Sequence, residues 1–86
     1  MPEISRFYGI VIKMYFADHA PPHFHAEYAE YEARVAIDNL AVLTGELPPR
    51  AMGLVAEWAS LHQQELQTLW ERATKLEALN RIDPLP

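Results

Sequence analysis

The stretch Asp18-His19-Ala20-Pro21-Pro22-His23-Phe24-His25 limits what this chain can fold into more than any other feature. Each proline fixes φ near about −65° and lacks a backbone N–H group, so the stretch lies neither inside a helix nor in a central strand. The residue before each proline is pushed towards extended geometry. Residues 18–22 are therefore predicted to form a stiff loop that delivers His23 and His25 to the next element.

The residues after the two prolines alternate strictly between polar and apolar, which is typical of a strand. Successive side chains of a strand point to opposite faces, so His23, His25 and Glu27 are predicted to share one face. The apolar side chains between them take the other face. The pattern thus predicts a polar sheet face that carries two imidazoles and a carboxylate in a row.

The length and net charge of the chain indicate what size of domain and which kinds of partner to expect. The chain has 86 residues, no cysteine and a net charge of −5. A single domain over residues 1–86 is expected, and so small a core favours a homo-oligomer or a complex with a partner. The negative charge predicts nucleic-acid contact only through a local patch or a partner. No apolar run reaches the length of a membrane span, and the start does not resemble a signal peptide, so a cytoplasmic protein is expected.

The first half of the chain predicts an antiparallel meander of three or four strands over about residues 8–47. The expected strands cover residues 8–16, 23–28, 31–38 and, in a short fourth strand, 41–47. Only Ala29 and Glu30 separate the middle two, which predicts a tight hairpin. In that register Glu27 opposes Glu32, and this pairing needs a nearby cation: Arg34, Lys13 or a metal. The residues predicted to face the core from the first strand are Ile10, Ile12, Met14 and Phe16.

The second half predicts one kinked helix or two helices over about residues 49–79. Pro49 suits the first helical position, and apolar residues, including Trp58 and Trp70 as core anchors, recur at helical spacing. Ser60 followed by Gln63 is a capping-box pattern that favours a break near residue 60. Residues 81–86 are expected to be extended. The predicted fold class is therefore α+β, with helices over one sheet face.

A metal site is one interpretation of the histidine-rich stretch. His23, His25 and Glu27 on one strand face, with His19 or Asp18 as a fourth ligand, can bind a divalent ion such as Zn, Ni, Fe or Mn. The alternative is structural: the imidazoles form hydrogen bonds with the loop and with Asp18, and so hold the meander together. The sequence leaves both interpretations open.

Metal-free catalysis is a third interpretation. A ribonuclease needs a base, an acid and a cation that stabilises the transition state. His19, His23 and His25 could supply the proton-transfer groups and Arg34 the cation, since histidine titrates near neutral pH. Alternatively Arg34 forms a solvated ion pair with a neighbouring glutamate. Whether the protein is an enzyme is left open.

Three motifs together resemble a bacterial domain-of-unknown-function family, number 4160. They are Met1-Pro2-Glu3-Ile4-Ser5-Arg6-Phe7-Tyr8-Gly9-Ile10, Asp18-His19-Ala20-Pro21-Pro22-His23-Phe24-His25 and Leu47-Pro48-Pro49-Arg50-Ala51. The resemblance implies a small α+β protein whose gene often lies beside one of family 2442. That pairing suggests a toxin–antitoxin-like or regulatory two-gene module, and it supplies no established reaction.

Two functions are accordingly predicted. The first is a component of such a module that binds the product of the adjacent gene through the His-rich sheet face. The alternative is a small metal-dependent hydrolase or a metal-free ribonuclease that uses His19, His23 and His25.

Overall fold

A five-stranded antiparallel sheet followed by two helices makes up the computed structural model, which describes residues 3–86. The strands lie in the order β1-β2-β3-β4-β5, so each pairs with its neighbours in sequence. This confirms the α+β meander, with more strands than the three or four expected. Met1 and Pro2, which begin the first motif of the resemblance, lie outside the described residues. The elements are β1 (Glu3–Phe7), β2 (Ile10–Lys13), β3 (His23–Tyr28), β4 (Tyr31–Ala36), β5 (Val42–Glu46), α1 (Pro49–Leu61) and α2 (Gln63–Thr74).

The prediction of one strand over residues 8–16 was wrong. Tyr8 and Gly9, with φ of 50° and 79°, form a turn that joins β1 to β2, and β2 ends at Lys13. The pattern hides β1 because a bulge between Glu3 and Ser5 interrupts its alternation. Phe16 lies beyond β2 and is 42% exposed, so it does not belong to the core as expected.

The β3–β4 hairpin has the predicted register. Phe24 pairs with Val35 and Glu27 with Glu32, across a turn at residues 29–30. Lys13 on β2 lies 3.1 Å from the Glu27 carboxylate. This cation offsets the repulsion between the two opposed glutamates, as one of the three predicted alternatives required.

Helix α1 begins at Pro49 as predicted, and the chain breaks between α1 and α2 at His62. The capping box was wrong: the Ser60 hydroxyl donates to the carbonyl of Glu57. The Gln63 side chain instead donates to the carbonyl of Ile37, at 2.9 Å, and so fixes the start of α2 to the end of β4. The predicted break near residue 60 is thus confirmed, although the predicted cap is not what lies there. Within residues 3–86, no helix is long and apolar enough to cross a membrane.

Helix α2 ends at Thr74, five residues before the predicted boundary. Leu76 follows with φ of 60°, and its N–H donates to the carbonyl of Ala73. The N–H of Glu77 donates to the carbonyl of Arg72 at 2.8 Å. This pair of bonds forms a Schellman motif with leucine in the position that usually holds glycine. The end of the helix therefore lacks the glycine by which it could have been predicted.

The core lies between the apolar sheet face and the helices. Trp58 of α1 is fully buried, with its ring centroid 5.4 Å from that of Phe7 and 5.9 Å from that of Phe24. Leu66 and Leu69 of α2 are also buried. Trp58 is thus a core anchor, as its spacing predicted.

The C-terminal segment, residues 77–86, has no regular secondary structure but packs on the domain. The N–H of Ile82 donates to the carbonyl of Ile4 at 2.7 Å, and Ile82 and Leu85 are buried. The indole N–H of Trp58 donates to the carbonyl of Asp83 at 2.8 Å. The segment therefore closes the core beside β1.

Acid is expected to loosen this segment. Hydrogen bonds from Arg6 and then from Arg81 lower the pKa of Glu3 from 4.5 to about 2. A lowered pKa gives stability that is present above pH 4.5 and is lost as the pH falls towards about 2. The indole N–H resonance of Trp58, followed by NMR between pH 5 and 2, should report the loss, since that group is bonded to Asp83. The Glu3→Gln variant should lack this transition, and an equal transition in the variant would contradict the assignment.

Candidate metal and histidine site

The loop between β2 and β3, residues 14–22, folds back over the start of β3. The N–H of Ala17 donates to the carbonyl of Ala73 on α2, and the N–H of Ile37 donates to the carbonyl of Pro22. Both ends of the loop are thereby tied to neighbouring elements. The stiff loop predicted from the Pro-Pro pair carries Asp18 to the two histidines.

Asp18 lies at the centre of the site. One oxygen, Oδ2, is 3.0 Å from Nε2 of His23 and 3.2 Å from Nε2 of His25. The other oxygen, Oδ1, accepts the backbone N–H of His19 at 2.8 Å. Two residues of the strand and one of the loop thus converge on a single carboxylate.

The ring nitrogens of His23 both face acceptors. Nδ1 lies 2.7 Å from the carbonyl oxygen of Pro21, and Nε2 faces Asp18. A carbonyl and a carboxylate only accept, so each needs an N–H group from the ring. A neutral imidazole satisfies one of them. The remaining acceptor then faces a ring nitrogen that carries no proton.

Of the two ring nitrogens of His25, only Nε2 has a hydrogen-bond partner, which is Asp18. Its Nδ1 is buried without a hydrogen-bond partner, and the Glu32 carboxylate on β4 lies 3.6 Å away, beyond hydrogen-bond distance. The edge of Tyr15 packs against the ring with centroids 4.4 Å apart. A proton on Nδ1 would therefore point towards an acidic side chain that is 55% exposed and free to approach.

Asp18 is ionised at neutral pH. Burial acts to raise the pKa of its carboxyl, but hydrogen bonds from His25, the His19 backbone and His23 outweigh burial and lower the pKa. A carboxylate with a lowered pKa beside two imidazoles is suited to ion pairing and to metal binding.

The site is closed. The side chains of His23 and His25 are 3% and 7% exposed, and that of Asp18 is 18% exposed. The Trp70 ring of α2 lies 5.1 Å from the His23 ring, between centroids. The expected polar, open sheet face is therefore covered by the loop and by α2. A substrate reaches the imidazole nitrogens only if Asp18 moves away.

The structure brings together three of the residues predicted for the site: the ligand atoms of Asp18, His23 and His25 lie within 4.8 Å of one another. Glu27 shares their strand but pairs with Lys13. His19 is an exposed residue of the loop, and Arg34 lies opposite His25 and is also exposed. Neither contributes a side chain to the cluster.

Sequence reasoning missed the groups that surround these ligands. They are the side chains of Tyr15, Glu32 and Trp70. The predicted hydrogen bonds from the imidazoles to the loop and to Asp18 are confirmed, since His23 contacts both the Pro21 carbonyl and Asp18. Glu32 could have been found, because the predicted hairpin places it two residue pairs from His25 and therefore diagonal to it on the same sheet face. No local pattern connects Trp70 to His23.

The residues of this site lie in a region of the chain that matches a known protein family. A family described as "Domain of unknown function (DUF4160)" matches residues 9–71. The chain belongs to this family. The DUF4160 match confirms the resemblance found from the three motifs, and it includes all the residues of the site. Comparisons with curated proteins and with solved structures gave no match.

Proposed function

We propose that this DUF4160 chain binds one divalent transition-metal ion through Asp18, His23 and His25, and that the ion fixes the loop 14–22 to the sheet. The observation that carries the proposal is the convergence of three ligand atoms within 4.8 Å. Two ligands that each lie about 2.1 Å from one ion at bond angles near 90–110° are roughly 3.0–3.4 Å apart. The Asp18–His23 and Asp18–His25 distances of 3.0 and 3.2 Å agree with that spacing.

The second nitrogens of the two imidazoles support the same proposal. A metal-bound histidine commonly donates its other N–H to a carbonyl or a carboxylate. Nδ1 of His23 has the Pro21 carbonyl, and Nδ1 of His25 faces Glu32. An ion bound at Nε2 would also let a neutral His23 ring satisfy the Pro21 carbonyl through its Nδ1 proton. Imidazole and carboxylate ligands suit Zn²⁺, Ni²⁺ and Fe²⁺.

The closed site favours a binding role over a catalytic one. We therefore propose that the chain acts as a protein-binding component of the two-gene module that the resemblance implies, with the metal as a structural element. The burial of both histidines supports this choice. The hydrolase and ribonuclease alternatives need an open site and stay predictions.

Zinc is expected to raise the melting temperature of the metal-free protein. At about one hundred times the Kd, binding stabilises the folded state by about 2.7 kcal/mol, or roughly 10–20 °C for a domain of this size. Because the ion replaces Nε2 protons, the affinity should rise with pH. Differential scanning fluorimetry and elemental analysis would measure both effects, with nickel and manganese tested in parallel.

Matched variants separate this site from adventitious binding by surface histidines. The His23→Ala/His25→Ala double variant should lose the zinc-dependent rise. His19→Ala and His62→Ala should keep it, because neither side chain contacts the cluster. An equal rise in the double variant, or no stoichiometric ion in any preparation, would reject the metal proposal.

A further inference from the structure

A pocket of about 260 Å³ lies at the far end of β3 from the histidine site. Tyr28 follows His23 by five residues, which along a strand is roughly 17 Å. The pocket is bounded by the β1–β2 turn, the end of β3 and the first turns of α1. Its lining residues include Tyr8, Ile10, Tyr28, Arg50, Ala51 and Leu54.

The floor of the pocket is apolar and its rim is amphipathic. Ile10 and Ala51 are buried at 0% and 4% exposure, whereas Tyr8 and Tyr28 are 59% and 36% exposed. Such a surface can take an apolar side chain between two tyrosine rings. The volume lies below the roughly 300 Å³ at which pockets begin to enclose a small ligand, so it suits one side chain of a larger partner.

Arg50 gives the rim a positive charge. Its side chain is exposed and forms no ion pair with any residue of the segment 3–86, and the first turn of α1 contains no acidic residue. Arg34, Arg72 and Lys75 likewise form no ion pair within residues 3–86, but of these four cations only Arg50 lines the pocket. Its charge complements a carboxylate that approaches the pocket.

The aromatic rim is held in place before any ligand arrives. Tyr8 has φ of 50°, a conformation that is costly for a bulky side chain, and its hydroxyl donates to the carbonyl of Pro86 at 2.7 Å. A Cβ at Gly9 would lie 3.4 Å from the Tyr28 ring, so that ring packs close to the turn. Positive φ at both Tyr8 and Gly9 is what a two-residue hairpin turn between β1 and β2 requires, so the turn fixes the position of Tyr8. A pre-ordered rim also lowers the entropy cost of binding.

We infer that this pocket binds a peptide segment of a protein partner in which an aromatic or large aliphatic side chain lies next to a carboxylate. The apolar side chain enters between Tyr8 and Tyr28, and the carboxylate pairs with Arg50. The inference deepens the proposed protein-binding role and is independent of the metal site.

The test uses a defined peptide, acetyl-Gly-Phe-Asp-Gly-amide, and its Phe-Asn analogue, titrated into the ¹⁵N-labelled full chain. Amide shifts are expected at the β1–β2 turn, at Tyr28 and at Arg50–Ala51. The acidic peptide should bind roughly threefold to fivefold more tightly than the neutral one, in the range of an exposed ion pair. The titration is run with zinc and with a chelator, and the result should be the same, so that failure of the metal proposal does not affect it.

Three single-residue variants test whether the preference for the acidic peptide arises at this pocket. Arg50→Gln should remove the preference for the acidic peptide, and Tyr28→Ala should weaken both peptides. Arg72→Gln, which changes an exposed arginine of α2, should retain the preference. Loss of the preference in Arg72→Gln, equal binding of the two peptides, or shifts outside the pocket would overturn the inference. So would binding of 3-phenylpropanoate as tight as that of the acidic peptide, since the pocket would then serve a small molecule.

Discussion

Replacing Trp58 with alanine is expected to lower the free energy of unfolding by about 3–5 kcal/mol. The side chain is fully buried and contacts Phe7 and Phe24 from two strands. It also holds the C-terminal segment through the bond from its indole N–H to the carbonyl of Asp83. Because small domains are stable by only about 5–15 kcal/mol, the variant should unfold at much lower urea concentrations.

Two further variants test why Trp58→Ala should lower the free energy of unfolding. Trp58→Phe keeps a ring in the core but removes the indole donor, so its cost should be smaller and should appear together with release of the C-terminal segment. Leu61→Ala, on the same helix but 63% exposed, should change stability by less than about 0.5 kcal/mol. A cost for Trp58→Ala no larger than that for Leu61→Ala would contradict the assigned core.

Asp18→Ala should cost about 2–4 kcal/mol in the metal-free protein, because it leaves two buried imidazole nitrogens without an acceptor. The same oxygen serves His23 and His25, so one substitution removes both bonds. Urea unfolding in the presence of a chelator would measure this cost. The free energy of unfolding of Asp18→Asn should lie between those of Asp18→Ala and the wild type, because an amide oxygen can accept a hydrogen bond but carries no charge.

Asp38→Ala is the matched control for this experiment. Asp38 is also an acidic residue in a loop, but it is exposed. Its replacement should change stability by less than about 0.5 kcal/mol. If Asp18→Ala costs no more than Asp38→Ala, the carboxylate does not hold the loop. The zinc-dependent stabilisation should be lost in Asp18→Ala in either case if the ion binds as proposed.

The histidine site shows where local pattern reaches its limit. Alternation placed His23, His25 and Glu27 on one strand face, and their shared strand follows from that pattern. Two of their partners were among the predicted alternatives: Lys13 lies beside Glu27, and Asp18 lies beside the histidines. Alternation predicts which side chains share a strand face, but it does not predict which distant elements pack over that face. The Trp70 ring of α2 therefore could not be placed beside His23 from the sequence.

The sequence by itself determined the hairpin register, the start of α1 and the family, because period-two alternation, proline geometry and motif residues are local features. The tertiary structure decided the rest. The β1 strand escaped notice because a bulge breaks its alternation, and the bond from Gln63 to the carbonyl of Ile37 joins residues far apart in the sequence. Likewise, Trp70 reaches the His23 ring only because α2 packs near the start of β3. Contacts of this kind depend on how elements pack, which no short stretch of sequence encodes.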